Sequence, residues 1–280
     1  MTQEELERVA AAVGCIEARL GEPLNLTAAA QEARYSKYHF HRLFAAAAGI
    51  TPHSYIRRRR LTEAARRLVF SREPVVEIAL TAGYQSQQAF ASVFRGMYKR
   101  TPGEYRREGF FYPLQLPLRL REASVPPEAP TGEIRRVAPC DIPAWMELLT
   151  QVIDGFPRLR EDAHRQALAR AAAEGEALLL WDRNAAVGAA VFSRRKGRIE
   201  LLTAHPQYRR RGVTRALLRF VAEKELPGRP LRITTFRAGD PADTGQWEDY
   251  RRLGFVDAGP GVQFGYPVQQ MVLPFRGGAL

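Results

Sequence analysis

The sequence has few cysteines, few lysines and no long apolar run. Its two cysteines, Cys15 and Cys140, lie far apart in a chain of 280 residues, so we expect no disulfide framework and a reducing, cytoplasmic location. No stretch approaches the roughly 20 apolar residues of a membrane span, and the N-terminus is rich in Glu rather than basic and then apolar. These absences predict a soluble protein without membrane contact. We also expect no metal site.

The positive charge is concentrated in one part of the chain. Residues 34–107 contain fifteen Lys and Arg but only four Glu, so they carry a net charge of +11, almost the whole +12 of the protein. A concentrated positive field usually faces phosphate or an anionic surface. Arginine supplies 38 of the 42 basic residues. That composition bias explains the choice of arginine over lysine, but it does not explain the clustering.

One short pattern occurs twice in this basic region, fifty residues apart. Each copy has a Ser, two Phe four residues apart, a Thr-Pro pair, a Tyr and an Arg. The copies are Ser36, Phe40, Phe44, Thr51, Pro52, Tyr55 and Arg57, then Ser86, Phe90, Phe94, Thr101, Pro102, Tyr105 and Arg107. The Ser can cap a helix, the Phe pair gives it an apolar stripe, and Thr-Pro starts the next helix. The repeat predicts paired DNA-reading modules joined by an arginine-rich helix.

The second helix of each module would present a polar outer face once its Phe residues are buried. The outer residues are Lys37, Tyr38, His41 and Arg42 in the first copy, and Gln87, Gln88, Ser92 and Arg95 in the second. Arg pairs with guanine, Gln pairs with adenine, and an aromatic edge fits the thymine methyl group. An ordinary solvated helix has a similar composition, and the repeat is what favours binding to double-stranded DNA.

The composition changes after residue 108. Residues 109–132 hold five prolines and predict a semi-rigid linker, in which leucines at every second position from 114 to 120 indicate an arm lying against a domain. Residues 133–280 mix strand and helix patterns, with the last two strands expected at 253–258 and 268–274. The predicted fold is multidomain, with an all-α double helix-turn-helix domain at 1–108 and an α+β domain with a mixed central sheet at 133–280.

A basic loop joins a strand to a helix within residues 202–214. Backbone N–H groups at a helix N-terminus and the helix dipole both favour phosphate there. Forty residues later, residues 250–255 end a helix at a glycine and enter a strand. Either motif alone is weak, since an R-x-x-G sequence is also found in surface turns, but their order along the chain favours an anion site.

Residues 24–107 resemble the AraC/XylS transcription regulators, most closely the branch of multiple-antibiotic-resistance and superoxide-response activators. The resemblance rests on the run 36–44, on YIRRRRLTEAA at 55–65, on AGYQSQQAFASVF at 82–94, and on the closing pairs at 101–102 and 105–106. It implies seven helices and two recognition helices in successive major grooves on one face of the DNA. Binding as a monomer is common in this family, and RNA polymerase is a further partner that such a regulator would meet.

The same resemblance assigns base reading to particular positions. These are Tyr38, His41 and Arg42 in the first recognition helix, and Gln87, Gln88 and Ser92 in the second. The branch usually has tryptophan at the first of these positions, glutamine at the second and arginine at the last. Its operator sequence therefore does not transfer to this protein.

Residues 133–275 resemble the GNAT acetyltransferases. The resemblance implies a pyrophosphate loop for acetyl-CoA, or another acyl-CoA, formed by Arg209-x-x-Gly212-x-Thr214. It implies that Tyr250 protonates the departing CoA thiolate and that Glu200 takes a proton from the amine through water, although a solvated strand residue is an equal alternative for Glu200. The implied cofactor-binding residues are Leu202, Ala204, Arg209, Arg210, Arg211, Gly212, Val213 and Thr214.

Three departures from the GNAT pattern keep two functions open. Thr214 and Arg210 replace small residues of the loop, and Asp243 replaces a frequent asparagine. One hypothesis is an N-acetyltransferase acting on a small amine; the other is a sensor whose bound ligand changes DNA affinity without chemistry. We expect His205 to be a structural loop residue, and Asp240 and Asp243 to be loop and cap residues.

Overall fold

A computed structural model of the protein describes residues 1–22, 26–120, 132–152, 161–209, 211–263 and 266–274. The described residues form two compact units, a helical unit up to residue 120 and an α/β unit from residue 132. None of the helices in these ranges is long and apolar enough to cross a membrane. The predicted fold class, an all-α region followed by an α+β domain with a mixed central sheet, is confirmed.

The helical unit contains the seven helices that the family resemblance implies among its described residues. They are α1 (Gln3–Ala18), α2 (Leu26–Glu32), α3 (Lys37–Ala48), α4 (Pro52–Phe70), α5 (Val75–Thr81), α6 (Gln87–Tyr98) and α7 (Pro102–Glu108). We call α2, α3 and the start of α4 the first module, and α5, α6 and α7 the second module. Helix α4 joins the two modules, because its Tyr55 and Ile56 lie in the apolar core of the first and the helix also contacts α5 and α7 of the second.

The repeated residues form the same local structure in both modules. Ser36 caps α3 by accepting from the backbone N–H of His39, and Ser86 caps α6 by accepting from that of Ala89. Thr51 and Thr101 cap the following helices in the same way, each with proline at the first helical position. Hydroxyl caps satisfy N–H groups that have no partner within a helix, so the repeat fixes where α3, α4, α6 and α7 begin.

Each module buries its Phe pair against the repeated tyrosine. In the first module Phe44 lies between Phe40 and Tyr55, with ring centroids 5.7 and 5.6 Å apart. In the second module the ring of Phe94 lies 5.3 Å from Tyr105. Burying a Phe side chain stabilises a fold by roughly 1.5–3 kcal/mol, so the aromatic pairs hold the recognition helices on the core.

Residues 110–120, which we call the strap, follow α7 without helix or strand. Leu114 and Leu118 are buried and Leu116 and Leu120 are half-buried, as the alternating leucines predict for an arm against a domain. Leu118 belongs to the apolar core of the first module, although α7 precedes it in the second. The strap therefore packs on the helical unit.

The α/β unit consists of seven strands and four α-helices among its described residues. They are β1 (Ile134–Arg136), α8 (Ile142–Gln151), α9 (Glu161–Ala173), β2 (Ala177–Asp182), β3 (Ala185–Ser193), β4 (Arg198–Ala204), α10 (Val213–Phe220), β5 (Leu231–Thr235), α11 (Gln246–Arg252), β6 (Val256–Gln263) and β7 (Tyr266–Leu273). The sheet order is β1-β2-β3-β4-β5-β7-β6, and only the β4–β5 pair is parallel.

The C-terminal hairpin differs from the sequence prediction. A strand was expected at 253–258, but β6 runs from Val256 to Gln263 and includes Gly259, Pro260 and Gly261. Glycine and proline are depleted in strands, so residue propensities do not predict a strand at these positions. Gly254, with φ +94°, ends the turn after α11 and delays the strand.

Candidate functional site

The outer face of α3 presents the four residues predicted from the first copy. Lys37, Tyr38, His41 and Arg42 are all exposed, and Tyr38 is 88% exposed. An aromatic ring left this open by a well-formed core is free to contact a partner. The Nη2 atom of Arg42 lies 3.3 Å from Nδ1 of His39, so this guanidinium is positioned by its own helix.

The outer face of α6 presents the residues predicted from the second copy. Gln87, Gln88, Ser92 and Arg95 are exposed, whereas the Phe pair behind them is buried. Val93, which precedes the second Phe of the pair, is only half-buried. The two faces differ in chemistry, because α3 offers an aromatic ring and cations where α6 offers amides, a hydroxyl and one cation.

The arginine run on α4 has a structural role that the sequence did not indicate. Arg58 and Arg59 are only 1% and 3% exposed. Arg59 donates to Glu17 from Nε (2.9 Å to Oε1) and Nη2 (2.8 Å to Oε2), and its Nη1 donates to the backbone oxygen of Gln115 at 3.2 Å. Burial lowers the pKa of Arg59, but hydrogen bonding and charge from Glu17 outweigh it and raise that pKa. Part of the clustered charge therefore stabilises the fold and does not face phosphate.

In the α/β unit, β4 and β5 separate from each other near the predicted loop. Their pairing among the described residues is confined to Arg198 opposite Arg232, whereas β4 pairs with β3 as far as Ala204. The strands thus diverge toward Ala204 and Thr235. Leu202 and Ala204, two predicted cofactor-binding residues, lie on β4 in this open stretch.

The predicted loop continues from β4 into α10. Gly212 is the N-cap of α10 and has φ +87°, a conformation that favours glycine. Because glycine has no side chain to accept from the first N–H groups of α10, these donors remain available to an anion. Arg211, Val213 and Thr214 flank Gly212 in the described chain, and Arg210 lies outside the described residues.

Two buried polar contacts hold the base of this loop. Nδ1 of His205 accepts from the N–H of Gln207 at 3.3 Å, which confirms His205 as a structural loop residue. The hydroxyl of Tyr208 donates to Oδ2 of Asp182 at 2.5 Å, and both side chains are buried. Hydrogen bonds to an ionised acceptor are among the stronger ones in proteins, so the Asp182–Tyr208 pair anchors the loop to the end of β2.

Gly188 on β3 also positions α10, and the sequence analysis missed it. A Cβ atom there would lie 2.4 Å from Cγ1 of Val213 and 3.0 Å from Cδ1 of Leu217. Gly188 pairs with Ala204 of β4, so α10 starts directly on the end of β4. A lone glycine within an apolar strand signals close approach of another element, and that signal was present in the sequence.

Arg209 lies where the loop meets the segment before α11. Its Nη2 donates to Oγ1 of Thr244 at 2.7 Å. Oδ1 of Asp243 accepts from the N–H groups of Gly245 and Gln246 at 3.0 and 2.8 Å, which confirms Asp243 as a cap residue. The predicted cofactor-binding Arg209 therefore connects the loop of the first motif to the segment that precedes α11.

The two predicted catalytic residues lie in different environments. Tyr250 on α11 is 5% exposed and packs against Phe255 with ring centroids 5.6 Å apart. Glu200 on β4 is half-buried, with Oε1 3.1 Å from Nζ of Lys196 and Oε2 3.6 Å from Nε of Arg198. Both oxygens of the candidate base thus face cations.

Comparison with known proteins identifies both units. The sequence matches a helix-turn-helix domain family at residues 29–108 and an acetyltransferase (GNAT) domain family at residues 152–274. Regulatory protein SoxS of Escherichia coli is 39% identical over 94 residues, which are 34% of this chain and 88% of SoxS.

Other similarities cover single units. Transcriptional regulator Rob of Salmonella typhimurium is 39% identical over 113 residues, which are 40% of this chain and 39% of Rob, so the chain spans less than half of that relative. A GNAT-family acetyltransferase structure from Bacillus cereus is 16% identical and covers 51% of this chain and 96% of its own, with a TM-score of 0.40. The chain belongs to the AraC-type family of DNA-binding regulators through its helical unit and carries a GNAT domain as its second unit.

Proposed function

We propose that this protein is a cytoplasmic transcription regulator whose GNAT unit binds acetyl-CoA, or another acyl-CoA, and transfers the acyl group to a small amine. The observation that carries the second half is the opening between β4 and β5 beside the uncapped start of α10. An extended ligand with an anionic end fits that combination. RNA polymerase is proposed as a further partner at promoters.

The recognition helices support sequence-specific binding to double-stranded DNA. The eight candidate residues are exposed on α3 and α6, while the Phe pairs behind them are buried. Arg42 would read guanine, Gln87 and Gln88 would read adenine, and the ring of Tyr38 would contact thymine methyl groups. Lys37 and Arg95 add positive charge at the edges of these faces.

The β4–α10 segment supports acyl-CoA binding. The N–H groups at Gly212 and Val213 would bind the pyrophosphate, because the start of a helix favours negative charge. Backbone groups of β4 from Leu202 to Ala204 would pair with the amides of the pantetheine arm. Arg209 and Arg211 would add positive charge on either side of Arg210.

The transfer itself would use the tyrosine and the carboxylate. The amine nitrogen attacks the thioester carbonyl, the bond from carbon to sulfur breaks, and an amide and a CoA thiolate form. Tyr250 would supply a proton to that thiolate, and Glu200 would remove the proton lost by the amine, through water. The tyrosine is then reprotonated from solvent.

The second candidate is a sensor that binds acyl-CoA without turnover, and the ion pairs of Glu200 favour it. Lys196 and Arg198 compete with an amine for the carboxylate oxygens. Arg210, Thr214 and Asp243 depart from the family pattern in the same unit. Release of free CoA in the presence of a panel of amines separates the two candidates.

The proposal is tested first by binding. Acetyl-CoA should raise the melting temperature of the full chain, and Gly212→Asp should abolish the rise, because a side chain at φ +87° is strained and its carboxylate repels the pyrophosphate. Gly228→Asp is the matched control, since Gly228 has φ +72° and no atom within 4 Å of an added Cβ. If neither acetyl-CoA nor any longer acyl-CoA shifts the melting temperature, both candidate functions are wrong.

A further inference from the structure

We propose that the strap fixes the spacing of the two helix-turn-helix modules and that its release lowers DNA affinity. Through it, the GNAT unit would control DNA binding, a step that rests on the proposed function. The strap is part of the helical unit, and the chain continues from Leu120 toward β1 at Ile134. Among the described residues it is the last segment of the helical unit before the second unit.

The strap binds both modules at the same position of the repeat. The backbone N–H of Tyr112 donates to the hydroxyl of Tyr105 at 3.0 Å. The backbone N–H of Leu118 donates to the hydroxyl of Tyr55, also at 3.0 Å. Tyr55 and Tyr105 are the repeated tyrosines, fifty residues apart. One short segment thus connects equivalent atoms of the two modules.

Both tyrosines are suited to accept these bonds. Burial raises the pKa of Tyr55, and the charge of Glu17 raises it further. Burial also raises the pKa of Tyr105. Each hydroxyl therefore stays protonated and neutral. Tyr55 donates its proton to Oε1 of Glu17 at 2.6 Å while it accepts from Leu118.

Between the two anchors the strap crosses α4. The N–H groups of Leu114 and Gln115 both donate to Oγ1 of Thr62, at 3.0 and 3.1 Å. The backbone oxygen of Gln115 accepts from the buried Arg59. The strap thus runs from the second module over the shared helix to the core of the first.

This path limits how far the modules can move apart. Leu118 lies six positions after Tyr112, and a fully extended chain over six steps reaches only about 20 Å. Two recognition helices on one DNA face must match grooves about 34 Å apart. Fixing the repeated tyrosines relative to each other therefore presets α3 and α6 for DNA.

The strap also contains an unfavourable contact that makes its release accessible. The side chain of Gln115 is buried, and within the described residues its Oε1 atom has no hydrogen-bond donor. A buried acceptor without a donor loses its bond to water and gains none in return. The unsatisfied oxygen therefore offsets part of the stability that the buried leucines give to the packed strap.

Two substitutions in the full chain should have opposite effects. Thr62→Val removes the acceptor of two strap N–H groups and keeps the size of the side chain, so it should release the strap. Gln115→Leu removes the unsatisfied oxygen and keeps the backbone oxygen for Arg59, so it should tighten the strap. Thr81→Val is the control, because Thr81 on α5 is exposed and its hydroxyl donates to the backbone oxygen of Glu77 in the same helix.

Affinity is measured for two DNA duplexes. The intact duplex is one that the full chain selects from a random library, and the scrambled duplex is the same sequence with one half-site scrambled. Thr62→Val should weaken binding to the intact duplex about tenfold, the scale of one or two lost hydrogen bonds, and leave the scrambled duplex unaffected. Amide exchange at 112–118 should speed up in Thr62→Val and slow down in Gln115→Leu. Equal losses on both duplexes, or no loss with faster exchange, would overturn the spacing role.

The regulatory step has its own measurement. Acetyl-CoA should change affinity for the intact duplex in the wild type and in Thr81→Val, and the change should be lost in Thr62→Val. If acetyl-CoA binds but Thr62→Val responds like the wild type, the strap does not transmit the signal. If acetyl-CoA does not bind at all, the proposed function fails, while the duplex and exchange measurements still decide the spacing role.

Discussion

The two units place their candidate functional residues in opposite ways. In the helical unit the candidate DNA-contacting side chains point outward from a core that they do not help to build, as Tyr38 shows with 88% of its surface exposed. In the α/β unit Tyr250 is 5% exposed and belongs to the main apolar cluster. The candidate DNA-contacting residues can therefore be substituted without loss of the fold, whereas the candidate acid Tyr250 also contributes to the stability of its unit.

The largest effect on function is expected from a substitution at the buried Tyr250. Tyr250→Phe keeps the ring against Phe255 and removes only the hydroxyl, so acyl-CoA affinity should hold while acyl transfer falls about 10²–10⁴-fold, the usual contribution of a positioned acid. Release of free thiol with an amine measures it. Tyr266→Phe, which loses a bond to Asp240, is the control. Unchanged transfer in Tyr250→Phe would remove the proposed acid.

Arg59→Ala should show that a charged residue of the helical unit can also determine stability, because this arginine is buried like a core residue. Removing it leaves Glu17 without its bidentate partner, and we expect a loss of about 3 kcal/mol in the free energy of unfolding, the lower end for a broken buried pair. Urea unfolding followed by a helical signal measures the loss. Arg66→Ala, at an exposed position of the same helix, should stay within about 0.5 kcal/mol of wild type, and equal results for both would contradict the structural role.

Arg42→Ala should show the outward pattern. We expect a loss of about 1–3 kcal/mol on the selected duplex and relaxed selectivity at one base pair, with an unchanged melting temperature. Arg57→Ala, exposed on α4, should weaken selected and random duplexes alike if it contacts phosphate. Titration of both duplexes at fixed salt separates these results. An equal loss on both duplexes for Arg42→Ala would exclude base reading.

The smallest effect concerns the cap of the second recognition helix. Ser86→Ala removes the acceptor for the N–H of Ala89 and should cost about 1 kcal/mol of stability. Ser92→Ala, six residues later on the outer face, should leave stability unchanged and alter only DNA affinity. Thermal unfolding and DNA titration of the two variants compare a serine that caps the helix with a serine that we propose contacts DNA. The same stability loss in both would erase that distinction.

The helical unit was predictable where its structure is local. Ser36 and Ser86, the Phe pairs and the Thr-Pro breaks determine helix starts and faces within a few residues, and the repeat made them recognisable. The role of Arg59 was not predictable, because its partner Glu17 is 42 residues away. Charge clustering in a sequence does not distinguish an arginine that faces solvent from one that closes a core.

The α/β unit was predictable in outline, but its site depends on distant contacts. The order of the two motifs indicated the loop and α11, and the turn at Gly212 followed from its residue type. The close packing of Val213 on Gly188 and the bond from Arg209 to Thr244 join elements that are far apart in the chain. Such contacts arise from the fold, so a single sequence carries only hints of them.

Within the described residues β4 and β5 pair at one position, Arg198 opposite Arg232, so the sheet consists of two longer hydrogen-bonded ladders, β1 to β4 and β5 to β7, linked at that single pairing. Side chains of both ladders belong to one apolar cluster, which includes Ile199, Ile233 and Met271. An extended ligand lying between β4 and β5 would act as an added strand, because it would supply hydrogen bonds that the two strands do not make with each other. Ligand binding would then make the two ladders unfold as one cooperative unit. Amide exchange along β5 would slow together with exchange along β4.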